Sequence, residues 1–463
     1  MLAFSKFNWL TLIVAILVQL PITPVIAGPG TEKTLPNGLK IIVKEDHRSP
    51  VVTSQVWYKI GASYEHDGTT GISHALEHMM FKGTKRYGLG QFSQIISDNG
   101  GDENAFTGKD YTAYFQNLAA DRLAIAFELE ADRMRNLTLP AAEFAKEIEV
   151  IKEERRLRTD DNPVNLATEH FYANAFLLSP YRTPVIGWMT DLNVLSVDQL
   201  RTWYRLWYAP NNATLVVVGD IKPEAVFALA EQHFGPLKAE VITPPQLRIE
   251  PQQLGIKRIT IKIPAKEPYL IMGYKVPVIT SQQDDWEPYA LEVLSYILSG
   301  GDSSRLQREL VRGSQVAASI DTDYSAFSRL PELFTLDGSP AKGHSIAELE
   351  ASLRQQIKML KQIPVTEAEL ARVRNQLIAS KVFQQDSIFY QAMEIGLLES
   401  VGLDWHLADK YVDKLSAITA AQIQAVANKY LLDDTLTVAV LEPQTMDSNS
   451  IPSNSSGVSN VIR

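Results

Sequence analysis

The 463-residue chain contains no cysteine. That absence removes disulfide scaffolds, thiol nucleophiles and thiolate metal sites, so any metal must be held by histidine or carboxylate. Positive charge is also short. The 44 Lys and Arg against 54 Asp and Glu leave a net charge of −10, which argues against nucleic acid as a partner bound through bulk basic charge. Long apolar runs are missing too: the best candidate, residues 10–18, falls well short of the ~20 that cross a bilayer. With Lys6 ahead of it and Pro21, Pro24 and Val25-Ile26-Ala27-Gly28 behind, this stretch reads as a cleavable secretory signal over residues 1–27. The expectation is an exported protein, periplasmic or secreted, with no membrane span after cleavage.

What is present can build full-sized cores. With 45% apolar and 21% charged residues, and about 150 residues per domain, the chain accommodates two or three domains. Alternating segments at 39–43 and 51–58 read as strands, the first following the turn Pro36-Asn37-Gly38. Helical periodicity covers 72–80, 89–97, 122–136 and 141–158, with a strand at 113–117. A strand at 213–218 and a helix at 223–233 close a first unit, residues 31–240. Pro244, Pro245 and Pro251 mark 241–256 as a linker. A second unit covers 257–443, and the Ser- and Asn-rich residues 444–463 read as a disordered tail.

The second unit repeats the first. Ser73-His74-Ala75-Leu76-Glu77-His78 matches Pro288-Tyr289-Ala290-Leu291-Glu292-Val293, and Leu195-Ser196-Val197-Asp198-Gln199-Leu200 matches Ile418-Thr419-Ala420-Ala421-Gln422-Ile423. Two matches in the same order point to a duplication. The first copy has His74 and His78 where the second has Tyr289 and Val293, so only the first can hold a metal there.

His74, Glu77 and His78 stand at i, i+3 and i+4, which places all three on one face of a helix. Two imidazoles so spaced can take adjacent corners of a tetrahedral zinc site, and HxxEH is the inverse of the HExxH order. A third ligand must come from elsewhere. The acidic segment 143–158 offers Glu147 and Glu154 on a stripe with Val150 and Ile151, and a carboxylate on a core-facing stripe needs a partner such as a metal.

On these residues the sequence resembles the pitrilysin, insulysin and mitochondrial processing-peptidase family. Glu154 follows His78 by 76 positions and Glu147 precedes Glu154 by seven, the layout of that family's third ligand and accessory carboxylate. The likeness extends to Asn37-Gly38-Leu39, Gly61 and Glu65, Phe81-Lys82-Gly83-Thr84, Asn104-Ala105-Phe106-Thr107 and Gly300-Gly301-Asp302-Ser303-Ser304-Arg305-Leu306. It implies an α+β fold of two duplicated domains, each an antiparallel sheet backed by helices, facing each other like the shells of a clam. It implies one Zn2+ per chain on His74, His78 and Glu154, with Glu77 as general base and Glu147 supporting the ligands. Asn104, Ala105 and Phe106 are then a sheet edge that pairs with an extended peptide or unfolded-protein substrate.

The likeness breaks in the second half. Family members there use an Arg and a Tyr to hold substrate and steady the oxyanion, and those positions fall on Val311 and Ala318. Three arrangements are open. A homologous subunit supplies the pair in a heterodimer; Arg312, Tyr324 or another residue replaces it in a monomer or homodimer; or the chain is a non-catalytic scaffold or assembly subunit.

Overall fold

The run Leu215-Val216-Val217-Val218 is apolar at successive positions, a pattern that suits a strand covered on both faces. In the computed structural model it lies inside a sheet, with Leu215 and Val217 facing one core, Val216 and Val218 another, and all four fully buried. The structure describes residues 30–246, 248–281 and 285–444; the expected signal segment and the tail beyond Gln444 lie outside these.

In the first half the order is β1 (Thr31–Thr34), β2 (Lys40–Glu45), β3 (Val51–Tyr58), α1 (Ile72–Met79), α2 (Gln91–Asp98), β4 (Asp102–Thr107) and β5 (Thr112–Ala119). There follow α3 (Leu123–Asn136), α4 (Ala141–Arg155), α5 (Pro163–Ala175), α6 (Met189–Leu192), α7 (Val197–Trp207), β6 (Ala213–Gly219) and α8 (Pro223–His233). The second half begins with β7 (Lys257–Pro264), β8 (Tyr269–Val276), α9 (Glu287–Ser299), β9 (Ala317–Asp323) and β10 (Glu332–Pro340). It ends with α10 (Ile346–Gln362), α11 (Glu367–Gln385), α12 (Ile388–Ser400), α13 (Leu407–Ser416), α14 (Ala420–Tyr430) and β11 (Leu436–Gln444). No helix among the described residues is long and apolar enough to cross a membrane.

The two sheets share one plan. Their strand orders are β1-β2-β6-β3-β5-β4 and β7-β11-β8-β10-β9, so apart from β1 each strand has a counterpart. Neither sheet is wholly antiparallel as expected: β2 pairs β6 in parallel, and so does β7 with β11, because the last strand of each half returns through helices and slots in beside the first. The remaining pairs are antiparallel.

Each half lends a helix to the other. The outer face of the first sheet packs on its own helices, but Ile42, Trp57, Val216 and Val218 on its opposite face pack against Ala392, Ile395 and Trp405 of the second half. In return, Ala167, Phe171 and Ala175 of α5 pack on Ile261, Ile271, Leu333 and Leu441 of the second sheet. Glycine makes both approaches possible. A Cβ on Gly396 would lie 2.1 Å from Trp57, and one on Gly273 would lie 2.5 Å from Phe171. No sequence periodicity marks α5, because its buried stripe of Ala167, Phe171 and Ala175 is narrow. Between the halves, Glu250 accepts hydrogen bonds from the backbone N–H groups of Leu177, Leu178 and Ser179 at 2.7–2.9 Å and pairs with Lys275 at 2.6 Å.

Candidate metal centre

α1 separates its residues by face. Ile72, Ala75, Leu76 and Met79 are buried in the core, and His74, Glu77 and His78 stand half-buried on the other side. Its start is set by Gly71 at φ 84°, and by Glu65, which accepts from the backbone N–H groups of Gly71 at 2.7 Å and Ser73 at 2.8 Å. A carboxylate there meets the positive end of the helix, although burial still pushes Glu65 up to about 7.

α4 packs against α1 and brings Glu147 and Glu154 to it. Glu154 Oε2 lies 3.4 Å from His78 Nε2 and 3.7 Å from His74 Nε2, and one donor atom from each residue falls within 4.8 Å of the other two. Donors about 2.1 Å from a shared tetrahedral ion lie roughly 3.4 Å apart, so the trio fits a zinc ion, and its nitrogen and oxygen donors suit that metal. It is the only such group among the described residues. Val150, placed on the core-facing stripe by its spacing, is instead 51% exposed, while Ile151 is buried.

The surroundings differentiate the two imidazoles. Burial, with His78 beside it, brings His74 down to about 4. Burial also acts to lower His78, but hydrogen bonds to Glu147 and Glu154 outweigh it and bring the group up to about 9. His78 Nδ1 donates to Glu147 Oε1 at 2.9 Å, and Lys82 pairs with the other oxygen of Glu147 at 2.6 Å. The ring of His78 is thereby oriented with Nε2 toward Glu154. Glu77 takes no part in the trio. The hydroxyl of Thr107 donates to its Oε2, and burial raises the group above the ordinary carboxylate range.

Thr107 ends β4, the outermost strand of its sheet, so residues 104–106 lie on an open edge beside α1. Asn104 Oδ1 accepts the N–H of Ala105 at 2.9 Å. Phe106 packs on Trp57, with ring centroids 5.3 Å apart. In the second half Tyr289 and Val293 are buried in the core, and Glu292 holds the position of Glu77. Val311 packs on the same core and Ala318 is exposed. Of the expected substitutes, Tyr324 is committed, its hydroxyl donating to the Pro277 carbonyl at 2.7 Å, whereas Arg312 is exposed and donates one N–H to the carbonyl of Asp302.

Residues 40–187 match the family described as Insulinase (Peptidase family M16), and residues 195–377 match Peptidase M16 inactive domain. The zinc protease PqqE of Helicobacter pylori is 32% identical over 424 residues, 89% of this chain and 92% of that protein. The chain belongs to peptidase family M16. Among solved structures of the M16 fold, a protease from Helicobacter pylori is 29% identical and superposes with a TM-score of 0.85, covering 90% of this chain and all of that one. The periplasmic protease PqqL of Escherichia coli, at 17% identity and a TM-score of 0.75, shares the fold over 90% of this chain and 48% of its own.

Three contributors to this M16 site escaped the sequence reading. Lys82 and Glu65 carry no role in the sequence pattern, and Thr107 only a place at the end of the expected substrate-pairing edge. No spacing rule marks them, because each acts through a contact that only folding creates.

Proposed function

We propose that the chain is an exported zinc endopeptidase that hydrolyses peptides or unfolded polypeptides. The observation that carries this reading is the meeting of His74, His78 and Glu154 around one point, with the non-ligand carboxylate Glu77 on the same face and an open strand edge alongside. His74, His78 and Glu154 would hold the metal, which when bound supplies a Lewis acid that polarises the scissile carbonyl and lowers the pKa of water. Glu77 takes the proton of the attacking water and passes it to the leaving amine. Thr107 fixes the carboxylate of Glu77 for that transfer, and Glu147 holds the ring of His78. Substrate lies extended along Asn104, Ala105 and Phe106, where its carbonyl replaces the Asn104 side chain on the N–H of Ala105.

Export rests on Lys6, the apolar run that follows and Ala27. The division into 31–240, a linker at 241–256 and 257–443 belongs to the same proposal. So does a homologous partner that adds Arg and Tyr, supported by Val311 and Ala318 and by the engaged state of Tyr324.

The test is metal content and turnover together. The purified chain should carry about one zinc, cleave an unfolded peptide, and lose both zinc and turnover in His74→Ala, His78→Ala and Glu154→Ala. A scaffold would purify without zinc and cleave nothing. Stimulation by a co-expressed homologue would support the paired form; full activity alone, unchanged by a homologue, would remove it.

A further inference from the structure

The metal half contains a guanidinium to which the mechanism above gives no task. α4 does not stop cleanly after Glu154. It widens into a π-helical turn, Arg156–Asp160, closed by the N–H of Asp161 bonding the carbonyl of Arg156 at 2.8 Å. Such turns are rare and concentrate at functional sites. Arg158 sits on this turn. Its backbone is pinned, since its carbonyl accepts from Asn165 Nδ2 at 2.7 Å, while its side chain is 76% exposed.

The side chain bends back over the site. Arg158 Nη1 lies 2.9 Å from Glu154 Oε1, and Oε2 of the same carboxylate is the atom that faces His74 and His78. A guanidinium carries five N–H donors, and the contact with Glu154 occupies one. An exposed i,i+4 ion pair is too weak to explain a specialised turn. Meanwhile Val311 and Ala318 bring no side-chain donor to the positions of the expected pair, and the hydroxyl of Tyr324 is committed to the Pro277 carbonyl.

We propose that Arg158 supplies the missing charge from the metal half: it grips Glu154 by one oxygen and turns its remaining donors to the carbonyl oxygen of the scissile peptide. This rests on the peptidase reading. The water oxygen bonds to the carbonyl carbon while its proton passes to Glu77. The π electron pair moves onto the carbonyl oxygen, where Arg158 meets the growing negative charge. The pair then returns to re-form the carbonyl, the C–N bond breaks, and Glu77 delivers the proton to the amine nitrogen. Arg158 is thereby a catalytic residue, and the isolated chain has measurable turnover before any partner adds to it.

The experiment compares wild type with Arg158→Gln, Arg158→Lys and Arg158→Ala, measuring zinc per chain, kcat and KM on one unfolded peptide. Arg158→Gln should keep its zinc, lose ~10²–10³ in kcat and change KM little, the signature of an interaction made in the transition state. Arg158→Lys should recover part of the loss, and millimolar methylguanidinium should raise the turnover of Arg158→Ala. Wild-type kcat in Arg158→Gln overturns the assignment while leaving the peptidase reading intact. So does loss of zinc from that variant, which would make Arg158 a support for Glu154 alone. If zinc-loaded wild type cleaves no peptide, alone or with a homologue, the peptidase reading falls and the assignment with it.

Discussion

Replacing Glu77 by glutamine removes a proton acceptor and disturbs little else. The side chains have nearly the same volume, and the glutamine carbonyl can still accept the hydroxyl of Thr107. None of the three donors that approach one another belongs to Glu77, so zinc should remain at one per chain. Turnover should not survive. A positioned general base is worth about 10²–10⁴ in rate, or roughly 3–6 kcal/mol of barrier at 1.4 kcal/mol per decade. The loss should fall on kcat, since the strand edge proposed to bind substrate is untouched. The assay is elemental zinc analysis beside steady-state cleavage of a fluorogenic unfolded peptide. A variant within tenfold of wild type would take Glu77 out of the mechanism. A variant that loses its zinc would make Glu77 a ligand and undo the division of labour between it and Glu154.

Glu147→Ala strips the acceptor from His78 Nδ1 and Lys82, so zinc affinity by chelator competition should fall about 10–100-fold; unchanged affinity would deny Glu147 its supporting role. Burial acts to raise Glu250, but Lys275 and three backbone N–H groups outweigh it and bring the carboxyl down to about 2. A depressed carboxylate stabilises the fold fully above its unfolded value of 4.5 and loses that contribution as pH falls through 2, about 3 kcal/mol in all. Urea midpoints should therefore drop less between pH 4.5 and 3 in Glu250→Gln than in wild type, and parallel curves would refute the clamp. Gly396→Val drives a side chain into Trp57, which is fully buried and bonded through Nε1 to Gln55 at 3.0 Å. Overpacking of this kind costs about 1–3 kcal/mol, and an unchanged urea midpoint would show that the borrowed helix is not seated as described.

Much of the site was legible because it is local. His74, Glu77 and His78 share a face by helix geometry alone, and Glu147 and Glu154 share one on α4. The duplication was legible because two helices of the second half preserve the pattern of the first, and the sheets it implies follow one plan. The strands 51–58 and 213–219 were legible because apolar β-branched residues gather in them. The parallel pairs were not, since neighbouring strands are chosen by how the chain returns and not by any strand's own composition.

By itself the sequence determined that His74, Glu77 and His78 share one helix face and that Glu147 and Glu154 share another, because that follows from a period of 3.6 residues. Tertiary structure decided the rest. Only the packing of α4 on α1 selects Oε2 of Glu154 to face both imidazoles, and only the placement of β4 hands the hydroxyl of Thr107 to Glu77. The exchange of α5 and α12 between the halves, and the fate of Tyr324 as a core hydrogen-bond donor, were likewise settled by folding. The physical reason is distance. Backbone periodicity relates residues a few positions apart, whereas these contacts join residues separated by tens to hundreds of positions, and their geometry exists only once the cores between them are packed.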